Sequence, residues 1–168
     1  MNYYGYAGAT PSDTERKDKI YCMASMTRTE AREEVFYLLF ESEFQKDRTP
    51  EEIYEMALEA RDLTERTSAR QSAYIHDVYF GICEKREELD EIIARHSNGW
   101  RPDRIVPVSR SLLRLCIYEM LYVEDVPSAV AINEAVELTK KFEEPKSKSF
   151  VNGILNSVKK ELEEKTEQ

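Results

Sequence analysis

The sequence predicts an all-α protein of seven helices organised as two small three-helix bundles. Three observations carry that expectation. Apolar residues recur at three- and four-residue spacing through most of the chain after residue 25. At Thr27 and again at Thr49, a threonine is followed three residues later by glutamate (Glu30, Glu52) just ahead of an apolar run, which is the capping-box signature. With Gly 5, Pro 6 and 34% charged residues, the chain has too little turn punctuation and too few β-branched alternations for a sheet protein.

Residues 1–25 mix Tyr, Gly, Pro and short polar residues without a helical period and are expected to form a disordered arm. Its charges cancel, and Met23 and Met26 stand at its end, so it has the character of a dispensable upstream extension. Residues 26–168 form the helical domain. Its first helix, "TRTEAREEVFYLLFESEF", turns Val35, Leu38, Leu39 and Phe40 inward, with Phe36 and Tyr37 flanking, and ends near Lys46. The second has Thr49 as N-cap and Pro50 at its first position, with Ile53, Met56, Ala57 and Ala60 as its stripe. The third, 68–85, buries Tyr74, Ile75, Val78, Tyr79 and Ile82, and Gly81 marks a place where another backbone comes close. A short fourth, 87–96, ends at "SNGW". A break near residues 97–107 separates an N-terminal bundle, about 26–98, from a C-terminal one, about 103–164.

The fifth helix, "SLLRLCIYEMLYV", is apolar around most of its circumference and must therefore be central. Pro127 starts the sixth, "VAINEAVELTKKF", with Val130, Ala131, Ala135, Leu138 and Phe142 on or beside its apolar face. The last, about 147–164, buries Phe150, Val151, Ile154, Leu155, Val158 and Leu162. Asn133 sits beside the buried stripe of the sixth helix. An amide there serves to bond exposed backbone groups of a neighbouring helix end, because left unpaired it would cost about 1–3 kcal/mol. Asn152, ahead of Gly153, has the same structural reading on the last helix, and direct ligand contact is the alternative for both.

Composition narrows the function. No apolar run approaches the roughly 20 residues of a membrane span, and no signal peptide is evident, so a cytoplasmic protein is expected. Three cysteines without a CxxC pair, and only His76 and His96, point to reduced structural thiols and no metal site. There is no Gly-rich phosphate loop and no residue set for nucleophilic or acid-base catalysis, so no enzyme and no cofactor are expected. A net charge of −9 opposes non-specific attraction to nucleic acid but leaves room for a local basic patch.

Four separated blocks, "AREEVFYLLFESEF", "LLRLCIYEMLY", "VPSAVAINEAVELTKKF" and "SFVNGILN", resemble the NusB family of antitermination and ribosomal-RNA transcription factors in order and spacing, over residues 26–160. The resemblance implies a non-catalytic factor that binds boxA RNA with NusE, a ribosomal small-subunit protein, within the RNA polymerase antitermination complex. It implies RNA contacts at the arginine-bearing start of the first helix, here Arg28 and Arg32 one turn apart, and around the segment before the last helix, here Lys146, Lys148 and Phe150. Two arginines interleaved with Glu30 and Glu33 make a thinned motif, for which a shallow salt dependence is expected. Phe150 is equally consistent with the first core residue of its helix. Partner contacts are implied at Ser109, Arg110 and Lys146; some relatives carry acids at two of these positions, where this chain has Ser109 and Lys146. Arg114 is a candidate for a structural ion pair with Glu119 or Glu134. Family members occur as monomers and as homodimers. The alternative function is a helical module that binds NusE with little RNA affinity of its own.

Overall fold

The computed structural model describes residues 26–99 and 101–166, so the expected arm at 1–25 lies outside the described residues. Eight α-helices follow one another among them: α1 (Arg28–Phe44), α2 (Pro50–Ala60), α3 (Leu63–Arg66), α4 (Ala69–Glu84), α5 (Arg86–His96), α6 (Pro107–Tyr122), α7 (Ser128–Phe142) and α8 (Pro145–Thr166), with a 3₁₀ turn at Pro102–Arg104. Seven correspond to the expected helices. The single turn α3 was not anticipated. It follows Asp62, which adopts the left-handed conformation at φ 51°, and it buries Leu63. The α3 backbone also anchors the start of the domain, since the Met26 amide donates to the Arg66 carbonyl at 3.2 Å.

Both capping boxes are formed. The Thr27 amide donates to Glu30 Oε2 at 2.7 Å while the Glu30 amide donates to Thr27 Oγ1 at 3.2 Å, and Thr49 and Glu52 repeat the exchange at 2.9 and 3.3 Å. Two amides at each helix start are thereby satisfied locally. The stripe of α2 is Ile53, Tyr54, Ala57 and Leu58; Met56 and Ala60, expected inward, are exposed. The same one-position rotation corrects α7, whose buried residues are Ala131, Ile132, Ala135, Val136, Leu138 and Thr139, with Val130 46% exposed. In both cases the apolar pattern admits two neighbouring stripes, and the packing partner selects one.

The α6 helix is central, as its composition requires: α1, α4, α5, α7 and α8 all pack on it, and it buries residues on every side. Two of the buried groups are charged, Arg114 and Glu119. Arg114 is paired with Asp90 through Nε at 2.7 Å and with Glu43 through a terminal nitrogen at 2.5 Å, and not with Glu119 or Glu134 as the sequence suggested. Glu43, at the end of α1, also accepts from Arg86 at 2.6 Å and from Arg110. Burial alone would raise the Glu43 carboxyl, but the Arg114 and Arg110 guanidiniums override it and hold the group down to about 2.

Gly81 is a correction of a different kind. What comes close is a side chain and not a backbone: a Cβ at this position would collide with the Tyr118 hydroxyl oxygen and lie 2.5 Å from the ring carbon that bears it. Cys116 is buried and Cys83 half-buried, and burial pushes both thiols up, which makes them poor nucleophiles.

Two expectations follow. Alanine at Gly81 should destabilise the protein in urea titrations because it displaces Tyr118, yet in a Tyr118→Ala background it should stabilise by about 1 kcal/mol, the helix-propensity gain of Ala over Gly. Glu43 has a folded pKa below its unfolded one, so its contribution is complete above about pH 4.5 and is lost as the pH falls toward 2. Between those limits wild type should lose about 3 kcal/mol more than Glu43→Gln when both are titrated with urea at each pH.

Candidate functional site

Capping at Thr27 places Arg28 as the first helical residue, and the helical period then sets Arg32 one turn on. The two arginines diverge in environment. Arg28 is half-buried, with its guanidinium 4.0 Å above the centre of the Tyr74 ring, and among the described residues it pairs with no carboxylate. Burial, together with the positive charges of Arg70 and Arg32, lowers its pKa from the ordinary value. The side chain remains a cation in the neutral range.

Arg32 is 3% exposed and engaged on two sides. Its Nε donates to the two Glu119 carboxylate oxygens at 3.0 and 2.9 Å, and a terminal nitrogen donates to Glu134 of α7 at 2.9 Å. The Tyr74 hydroxyl donates to the same Glu119 at 2.7 Å. Burial would depress the Arg32 guanidinium, but the Glu119 hydrogen bonds and the two carboxylates reverse that and raise it. Arg32 therefore does not share a solvent face with Arg28, contrary to the sequence expectation. It neutralises the buried acid that holds the tyrosine on which Arg28 rests.

Beside Arg28 opens a groove of about 660 Å³ between the starts of α1 and α4, the end of α6 and the turn at 123–127. The rings of Tyr118 and Tyr122 lie 5.0 Å apart along it, and Tyr122 donates to Glu88.

The second group of expected residues sits at the start of α8. The helix begins at Pro145, earlier than the sequence suggested, so Lys146 and Lys148 belong to its first turn, where both are exposed. Phe150 is half-buried and packed against the core. Of the residues assigned to the partner face, Lys146 is exposed, Ser109 is 1% exposed, and Arg110 donates to the carbonyls of Pro102 and Ile105 at 2.9 and 3.3 Å. The Ser109 hydroxyl lies 2.7 and 2.9 Å from the two carboxylate oxygens of Glu143, at the end of α7. An acid thus stands over position 109 although residue 109 is not one.

Asn133 and Asn152 are both exposed, which corrects their reading as groups buried at helix crossings. Asn152 accepts from the Asn156 side chain one turn later at 3.0 Å, within its own helix. The polar groups that do hold crossings are Arg32, Glu119 and Glu134, with Tyr74, read from the sequence only as a buried residue of its helix; Glu143 and Glu43 escaped the sequence reading. Among the described residues no cluster of His, Cys, Asp and Glu converges as a metal ion would require, and no helix is long and apolar enough to cross a membrane.

The helical fold is shared with known proteins. The NusB family model matches residues 29–160. A transcription antitermination protein NusB from Enterococcus faecalis is 39% identical over 150 residues, covering 87% of this chain and 97% of that protein. One from Acetivibrio thermocellus is 44% identical over 135 residues, covering 80% and 90%. Among solved structures, T. maritima NusB aligns with a TM-score of 0.74 at 34% identity, over 82% of this chain and 93% of that one. A chain from the crystal structure of antitermination factors NusB and NusE in complex with dsRNA aligns with a TM-score of 0.70 at 26% identity, over 80% and 98%. With a family model spanning most of the domain and relatives matched over nearly their whole length, the chain belongs to the NusB family.

Proposed function

We propose that this chain is a non-catalytic RNA-binding antitermination factor that engages boxA-type RNA together with NusE. The observation that carries the RNA reading is Arg28: a guanidinium held on an aromatic ring at a helix start, unpaired with any carboxylate among the described residues, is poised for a phosphate. Lys146 and Lys148 supply further exposed cations, and Phe150 an aromatic edge beside them. Arg32 serves this site from beneath, as the counter-charge of Glu119. For the partner face, the Glu143 carboxylate tethered by Ser109 is the acidic element, and Lys146, three residues on in the chain, an exposed cation. Relatives are antitermination proteins, and one solved relative is in complex with NusE and RNA, which supports both halves of the proposal.

A second reading, a module that binds NusE with little RNA affinity, is favoured by one observation: the engagement of Arg32 leaves a single free arginine at the start of α1. Fluorescence anisotropy of a boxA-type RNA titrated with the full chain at several salt concentrations, with and without NusE, separates the two. The RNA reading expects salt-sensitive binding that tightens with NusE and an Arg28→Gln variant that binds about tenfold more weakly with unchanged folding stability. NusE binding with no RNA binding at any salt concentration would establish the module instead. Arg32→Met should lose about 3–5 kcal/mol in urea unfolding, because it strands Glu119 without a counter-charge. If that variant kept its stability and lost RNA affinity as Arg28→Gln does, Arg32 would be a direct RNA contact.

A further inference from the structure

The groove beside Arg28 has features that binding at Arg28 alone does not use. Arg70, in the first turn of α4, is 76% exposed, and the carboxylate nearest to it is that of Asp125 in the turn at 123–127, at 3.7 Å and itself 83% exposed. A pair this long and this open to solvent contributes little, so an incoming anion displaces Asp125 at small cost. Arg28 and Arg70 both line the groove, and the positive charge of Arg70 disfavours that of Arg28. A phosphate between them relieves that repulsion.

Along the groove from the two guanidiniums stand Tyr118 and Tyr122. Tyr122 is 41% exposed and its hydroxyl is tied to Glu88, so the ring is held in place at the surface, where the Lys85 ammonium lies 5.6 Å from its centre and an incoming base would share the ring with that side chain. Tyr118 stands where it does because Gly81 has no Cβ to exclude it. An exposed, fixed aromatic ring lining the same groove as a cation pair is the kind of arrangement on which single-stranded nucleic acid is held, with the base on the ring and the phosphate on the cations. Asp77 and Glu124 also line the groove, and their charges repel a second phosphate. That favours one nucleotide of a single strand over the closely spaced backbones of a duplex.

We propose that this groove is a single-nucleotide subsite for single-stranded RNA, in which Arg70 joins Arg28 on one phosphate, Tyr122 stacks the attached base, and Asp125 competes with the phosphate for Arg70. The proposal rests on the RNA-binding reading above and extends it to three residues of α4, α6 and the following turn.

The test is anisotropy of a fluorescein-labelled single-stranded boxA-type RNA, titrated with full-length wild type and variants across a range of salt concentrations. Arg70→Gln should weaken binding about fivefold and reduce the magnitude of the salt slope by about 0.7, the contribution of one phosphate on a single strand. Asp125→Asn should tighten binding about two- to threefold, a gain that damage to the fold would not produce. Tyr122→Ala should weaken binding about tenfold and leave the salt slope unchanged, since stacking releases no counterion. Lys160→Gln, which removes an exposed cation of α8 outside the groove, should bind as wild type within about twofold. Wild-type behaviour of both Arg70→Gln and Asp125→Asn, or a loss in Lys160→Gln equal to that in Arg70→Gln, overturns the subsite and leaves the RNA reading standing. Absence of RNA binding by wild type at low salt overturns both.

Discussion

The structure depends on an exchange of buried charge between α1 and α6. Near its start α1 supplies a cation, Arg32, to Glu119 at the end of α6; near its end it supplies an anion, Glu43, to Arg110 and Arg114 at the start of α6. Because α6 is enclosed by five other helices, neither Arg114 nor Glu119 has water to fall back on, and an unpaired charge there costs several kcal/mol. The exchange also sets direction. Were α1 reversed against α6, Arg32 would face arginines and Glu43 would face Glu119, so hydrophobic burial supplies the attraction and the charges select the antiparallel orientation.

Much of this order was legible in the sequence, and the parts that were not share a cause. Caps are local: a threonine and a glutamate three residues apart settle their geometry with no help from the rest of the chain, and both boxes form as expected. The centrality of α6 was equally legible, because a helix apolar all round has only one kind of place to go. Pairings across the fold were not. One partner of Arg114 is 71 residues away in one direction and one partner of Arg32 is 87 away in the other, and no sequence spacing distinguishes those choices from Arg114 with Glu119. The rotations of α2 and α7 by one position have the same origin, since an amphipathic pattern fixes a face to within about one residue and the neighbour decides the remainder.

At the candidate site the residue types were visible but not their division of labour. Two arginines one turn apart look equivalent on a helical wheel. Only the presence of Glu119 and Glu134 beneath one of them, and of a tyrosine ring beneath the other, separates a structural cation from an accessible one. The tyrosine is the link: its hydroxyl belongs to the buried network and its ring face carries Arg28, so the stability of the core and the posture of Arg28 are not independent. This also reconciles a net charge of −9 with a nucleic-acid partner. Many of the acids lie in helix caps or ion pairs, which leaves a small number of guanidiniums and lysines to define the potential where it matters.

The pairing of Ser109 with Glu143 separates a charge from the position that bears it. A carboxylate lies over residue 109, but it is delivered from the end of another helix and steered by a hydroxyl. Electrostatic identity at a protein surface is in this sense a property of a location in space, and homologues can keep it while every column of their alignment at that location changes. The sequence at residue 109 shows a neutral hydroxyl, and the folded protein has a carboxylate at the same place.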